Sequence, residues 1–390
     1  MSKQNQIFKL VLYVSIALFL RFIIVEDVLE KTESAFVQIL IIPLIFIVGI
    51  GTVFRGTAKI IEETTDVLKD RTKLAGGFLQ AFGTAFPDMV IGVVAALISL
   101  KVRDTDYVRA INLAIIAAST TFGSNIYNIL HAVWCLYRQN LANKYHKAIM
   151  MFPPFKSGGI LKPFKEHKVI PSIKELDGAT SVLTALTLLT AFVAVSMVLF
   201  GQVKTTYKGF DGDLYQLVTP VGVFLFFMCI GVLYHFRKSH RPESPIEEVY
   251  EEERYYAKQS SRRIWMDLVL SGIAILFTAE SMVKTMEIFS HITNIPFVVT
   301  GIAAGLIGCF GEMIVIHNFS INPTGRIGDA IVGVAMDNIV TTMGAAIVAI
   351  MGGIFLGSNS LILIFIIILA ANTLLIGQIS KLKNDIHNTN

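Results

Sequence analysis

The sequence predicts an all-α, polytopic membrane protein of about ten transmembrane helices, built as two inverted repeats of five-helix type with broken helices at the midplane. Three observations carry that expectation. Of 390 residues, 54% are hydrophobic and only 16% charged, and the mean hydropathy is +0.64, whereas tandem soluble domains would carry about a quarter charged residues. Apolar runs long enough to cross a bilayer recur along the whole chain. Within some of those runs a carboxylate stands beside glycine or proline, which lipid does not tolerate without a reason. The net charge of +4 is too small to point to nucleic acid. Cys135, Cys229 and Cys309 lie far apart, and neither a disulfide frame nor a zinc spacing follows from them.

In order, the runs fall at 7–25, 36–55, 74–100, 108–137, 180–200, 215–236, 264–286, 295–319, 328–353 and 358–379. The first is long for a signal-peptide core and lacks a small-residue cleavage site before Glu26, so it reads as a retained helix. Orientation follows from the excess of Lys and Arg in cytoplasmic loops. The segments 55–73, 138–178 and 237–263 are basic, while 26–34 is acidic and 201–214 is poor in Lys and Arg. Both termini are therefore expected in the cytoplasm, with Lys101, Arg103 and Arg109 outside as the awkward exception. The 138–178 connection reads as a basic loop on the anionic inner leaflet, and 237–263 as a solvated charged linker. The resulting organisation is an extra N-terminal helix and outer loop (1–35), a first half (36–236), the linker (237–263) and a second half (264–390).

The polar stretches inside the membrane carry the chemistry. Gly83-Thr84-Ala85-Phe86-Pro87-Asp88 in the third run is matched by Gly308-Cys309-Phe310-Gly311-Glu312 in the eighth. Gly123-Ser124-Asn125-Ile126-Tyr127-Asn128 in the fourth is matched by Met336-Asp337-Asn338-Ile339-Val340-Thr341 in the ninth. A repeat displaced by five crossings is necessarily inverted, and inverted repeats with interrupted helices describe a secondary transporter. Asp88 and Glu312, converging with carbonyls freed at the breaks, would make an oxygen-rich site for a hard cation such as calcium. Ser124 with Asn128, and Asp337 with Thr341, are each four apart and share a helix face; Asn125 and Asn338 would bond the broken backbone. Glu280 and Lys284, one turn apart, are expected to pair with each other. Asp267 and Asp329 are expected to reach water near helix ends, and His131 and His317 to serve as interfacial hydrogen-bonding groups or a proton path.

At these residues the chain resembles the calcium/cation antiporter superfamily, which includes the sodium/calcium exchangers, as a divergent member. The family's repeats carry a Gly-Thr-Ser-x-Pro-Glu break and a Gly-Ser-Asn-Ile-x-Asn or -Asp stretch, and the resemblance spans about residues 36–380. It implies a non-enzymatic antiporter that exchanges calcium, or a similar divalent cation, for sodium or protons by alternating access. Its ligands would be Asp88 and Glu312, assisted by Thr84, Ser124 and Asn128 and, by position, Asp337, Asn338 and Thr341. No cofactor is implied beyond the transported Ca2+ and its counter-ion, Na+ or H+. The implied partners are inorganic cations and the lipid bilayer, with no nucleic acid and no predictable protein partner. The implied location is a plasma or cytoplasmic membrane. The chain departs from the pattern at Ala85, where a sodium-ligating Ser is usual, and at Asp88 for Glu, Gly311 for Pro, Cys309 for the second Ser and Thr341 for an acid. Two alternatives stand beside it: a degenerate sensor or scaffold without flux, and an intramembrane aspartyl protease using Asp88 with Asp329 or Asp337. The Gly-x-Gly-Asp signature of the protease is lacking, since Gly325-Arg326-Ile327-Gly328-Asp329 has the wrong spacing.

Overall fold

Each apolar run falls mainly on helix in the computed structural model, which describes residues 3–72, 78–167, 170–203, 213–239, 255–322 and 327–387. Helix α1 (Lys3–Phe19) continues through a π-helical stretch, Leu20–Leu29. Helix α2 (Ala35–Val48) passes through a second one, Gly49–Phe54, into α3 (Arg55–Thr72). Then come α4 (Phe78–Val102), α5 (Tyr107–Tyr145), the hairpin β1 (Ile149–Phe152) and β2 (Phe155–Leu161), and α6 (Ile173–Phe200). Strands β3 (Gln202–Val203) and β4 (Leu214–Gln216) lead to α7 (Thr219–Ser239) and α8 (Ser261–Thr293). The chain finishes with α9 (Phe297–Gly308), α10 (Phe310–Ile321), α11 (Ile327–Ile350), β5 (Phe355–Gly357) and α12 (Ser358–His387).

Among the described residues eight helices are long and apolar enough to span a bilayer, and the bent pair Phe297–Gly308 with Glu312–Ile321 would make a ninth. The remaining run lies in α4, where the apolar stretch found is Met89–Val102. The side chains divide as a membrane requires. Phe36, Ile47, Leu188, Phe227 and Ile366 are 60–71% exposed and give α2, α6, α7 and α12 an apolar outer surface. The centre is α4, α5 and α11, whose small residues Ala95, Ala117, Ala118, Ala345 and Ala346 are fully buried. Small side chains allow close approach, which is how helices associate where lipid removes the hydrophobic drive. The packing is reciprocal: α4 lies against α11 as α5 lies against α9.

Several helices outrun their apolar limits. Helix α5, expected to end at 137, continues to Tyr145 because its polar residues find partners. Gln139 donates to the Lys162 carbonyl (2.8 Å), Asn143 accepts from the Phe164 amide (2.9 Å), and Asn140 donates to Gln378 (3.0 Å). Much of 138–178 is thus a helical extension holding a hairpin rather than a loop. Helix α6 opens on a capping box, Ser172 with Glu175, which satisfies two backbone donors reciprocally.

The charged pairs also differ from expectation. Glu280 and Lys284 do not join each other: Glu280 takes Arg21 (2.7 Å) and Lys284 takes Glu30 (2.7 Å), tying the N-terminal segment to α8. A partner on a packed neighbour displaces a local i,i+4 pair worth only ~0.2–0.5 kcal/mol. Asp267 does not reach water; it is 1% exposed and held by Arg263 (2.9 Å) and the Tyr256 hydroxyl (3.2 Å). Arg109, the awkward charge of the orientation argument, has a dedicated partner, forking onto buried Glu287 at 2.5 and 2.9 Å.

Candidate cation site

The site begins at the break between α9 and α10, which are bent by 53°. Cys309 sits there at φ −84°, ψ 2°, a bridge-region conformation that stops regular α-helix. Gly308 and Gly311 flank it, and glycine weakens helix on either side. The backbone bonds close over the corner, from the Cys309 amide to the Gly305 carbonyl (3.2 Å) and from the Met313 amide to the Cys309 carbonyl (3.0 Å). Glu312 therefore stands in the first turn of α10, where unpaired amides and the helix dipole favour negative charge. The expected counterpart in the first half is different: α4 is one helix over Phe78–Val102. Helix α4 keeps its helical backbone through Gly83 and Pro87, although proline disfavours a helix interior more than glycine does.

Across the break lies α5, approached so closely that side chains would not fit. A Cβ on Gly123 would meet the Ile302 Cα at 2.9 Å, and one on Gly305 the Ser124 amide nitrogen at 2.5 Å. Gly301 similarly faces Ser119 and the Ile116 carbonyl at 2.6 and 3.0 Å. Gly301 and Gly305, four apart, make the small-residue face on which two membrane helices can touch backbone to backbone. This crossing carries Asn128 to Glu312. The Asn128 Nδ2 donates to Glu312 Oε2 at 2.5 Å, with the residues 2% and 7% exposed.

The remaining predicted residues are placed as follows. Ser124 is buried at the α5–α9 crossing, its hydroxyl bonded to the Thr121 carbonyl (3.0 Å). Asp337, Asn338 and Thr341 are buried on α11, which packs against α4, α5 and α10. The Thr341 hydroxyl donates to the Asp337 carbonyl (2.9 Å). Asn338 donates to the Val334 carbonyl of its own helix (2.6 Å), and Asn125 to the Thr342 hydroxyl of α11 (3.4 Å). Neither bonds the broken backbone; each finds its acceptor on α11 instead. The side chains of Thr84, Asp88 and Asp329 lie outside the described residues. Thr342 was not expected; its signal was an Asn-to-Thr spacing of four on α11.

Three buried amide oxygens, Asn125 Oδ1, Asn128 Oδ1 and Asn338 Oδ1, have no hydrogen-bond partner among the described residues. An unsatisfied buried acceptor costs about 1–3 kcal/mol, and oxygens of this kind are what a hard cation takes as neutral ligands. Ala85 is fully buried and offers no side-chain oxygen. One turn beyond Asn128 and Glu312, the structure also brings His131 and His317 together with Cys135, on α5 and α10.

The arrangement is a polytopic, all-α membrane fold in which an amide and a carboxylate meet, buried, beside a helix break. The chain matches the H+/Ca2+ exchanger CAX at a TM-score of 0.55, with 12% identity, over 98% of this chain and 97% of that one. It matches native YfkE at 0.54, again with 12% identity, over 97% and 96%. The sodium-calcium exchanger NCX_Mj aligns more loosely, at 0.44 over 87% of this chain. No family model and no curated protein matches the sequence.

Proposed function

We propose that the protein is a secondary antiporter that moves calcium, or a similar divalent cation, against protons or sodium by alternating access. The observation that carries this reading is the Asn128–Glu312 contact. It joins an amide and a carboxylate from opposite halves of the chain, away from water, and the oxygen of the same amide, Asn128 Oδ1, has no hydrogen-bond partner among the described residues. A cation entering there would take Glu312 as its anionic ligand and Asn128 Oδ1 as a neutral one, with Asp88 the second acid. Asp337, Asn338, Thr341, Ser124 and Thr84 complete the proposed set. Ten crossings in two inverted repeats, with both termini cytoplasmic, is the topology that fits; the reciprocal packing of α4 on α11 and α5 on α9 supports it. Exchange rather than uniport follows because carboxylates this deep do not cross the switch empty and charged.

Protons are the favoured counter-ion. Buried Ala85 supplies no side-chain oxygen to a sodium ion, while a carboxylate can be neutralised by a proton instead. Proteoliposomes of the purified protein are expected to take up labelled calcium when a proton gradient is imposed, and Glu312→Gln to abolish uptake. Uptake driven by sodium alone would reverse the counter-ion assignment. No uptake under either gradient would overturn the antiporter and favour a transporter-fold sensor, and peptide cleavage without flux would favour a protease.

A further inference from the structure

We propose that His131, Cys135 and His317 form a second metal site, for a thiolate-seeking divalent cation of the zinc class, which ties α5 to α10 one turn from the calcium pocket. One ligand atom from each of the three residues lies within 4.8 Å of the other two. His131 and Cys135, four apart on α5, share a face, and the His131 Nε2 is 3.6 Å from the Cys135 Sγ. Tetrahedral zinc, with Zn–N of about 2.0–2.1 Å and Zn–S of about 2.3 Å, sets nitrogen and sulfur about 3.5 Å apart. That edge is already formed, and an approach of roughly 1 Å by His317 would complete the third.

The surroundings are those of a supported ligand set. The Met313 carbonyl lies against the His131 imidazole and the Gly158 carbonyl against that of His317. Backbone acceptors of this kind fix ring orientation and tautomer in metal sites. Phe152 of the hairpin stacks on His317 (5.6 Å, 5° between planes) and on His131 (6.3 Å). Cys135 is fully buried and the two histidines only partly so; a tetrahedral ion held by these three would take water as its fourth ligand. Two imidazoles and a thiol select zinc-class ions, whereas the oxygen ligands of the proposed calcium site select a hard cation. Capture replaces the Cys135 S–H bond by an S–metal bond and releases the proton to solvent. His131 is three residues past Asn128 and His317 five past Glu312, so occupancy would cross-link the two helices that carry the calcium pocket.

Cobalt is the probe, because thiolate-bound Co2+ absorbs in the near ultraviolet through sulfur-to-metal charge transfer. Purified full-length protein is expected to bind one Co2+ with that absorption and to lose it when Zn2+ is added. Cys135→Ser is expected to remove the band, and His317→Asn, at a partly exposed position, to weaken binding by tenfold or more. Zinc is expected to raise the thermal midpoint of the wild type and not that of His317→Asn. Glu312→Gln is expected to bind Co2+ as the wild type does, so the result stands apart from any outcome of the calcium flux assay. Absence of the band, its survival in Cys135→Ser, or wild-type affinity in His317→Asn would each overturn the site.

Discussion

Gly305→Ala adds a single methyl where α9 lies against α5. Its carbon would stand 2.5 Å from the Ser124 amide nitrogen, 2.6 Å from the Thr120 carbonyl oxygen and 2.8 Å from the Gly123 carbonyl carbon. All three are backbone atoms, so no side chain can swing aside. Restoring ordinary van der Waals contact parts the helices by roughly 1 Å, and overpacking of that kind costs about 1–3 kcal/mol. The gain in helix propensity, at most ~1 kcal/mol, does not offset it. The displacement also reaches the pocket, since Glu312 follows on the far side of the Cys309 corner. A bond now 2.5 Å long between Asn128 and Glu312 would stretch to about 3.5 Å, where little of a hydrogen bond is left. Thermal unfolding of the purified variant, with and without calcium, reads both effects: a lower midpoint and a smaller calcium-induced rise. Gly231→Ala on α7 is the control, because nothing lies within 4 Å of the added methyl. A Gly305→Ala protein with an unchanged midpoint and an unchanged calcium response would refute the coupling of this crossing to the pocket.

Asn128→Ala removes a buried hydrogen bond to a charged group, worth about 1.5–3 kcal/mol, and a proposed neutral ligand; calcium affinity by isothermal titration is expected to fall by roughly tenfold or more. Arg109→Ala is expected to destabilise more than Glu287→Ala in thermal melts, because the arginine side chain is 41% exposed and the carboxylate 7%, so only the first change strands a buried charge. Burial holds the His167 imidazole below the ordinary histidine pKa. The unfolded chain then takes up this proton first, and stability is lost as pH falls below about 6.5; His167→Gln should flatten that part of a midpoint-against-pH curve. The N-terminal tether is tested by Arg21→Ala, expected to loosen α1 from α8 and to speed hydrogen exchange in both.

Helix existence was legible in the sequence because lipid imposes one solution on every apolar run: backbone groups satisfied within the segment. Helix ends were less so. The extension of α5 to Tyr145 depends on Gln139, Asn140 and Asn143 meeting Lys162, Phe164 and Gln378, contacts that no local pattern displays. Repeat matching pointed to Glu312 and Asn128 as members of one site, since a carboxylate beside paired glycines is costly in an apolar run. It also overextended the symmetry: a break expected in both halves is present at Cys309 and not along α4, and Asn125 and Asn338, expected to bond the broken backbone, bond the Thr342 hydroxyl and the Val334 carbonyl instead. The misassigned Glu280–Lys284 pair has the same origin. Sequence spacing finds partners within a helix, whereas Arg21 and Glu30 come from a packed neighbour. His131 and Cys135 stand four apart in the chain, a spacing not used in the sequence reading, and only the fold supplies His317.

The bond from Arg21 to Glu280 spans 259 residues of chain, and that interval has a meaning for biogenesis. The arginine leaves the ribosome within the first helix, and Glu26 is the only one of its two carboxylates that follows soon after. Its second counter-ion is synthesised only 259 residues later. Arg21 is thus half neutralised early, by Glu26, and its tether to α8 can form only after the long stretch of chain up to Glu280 has been made.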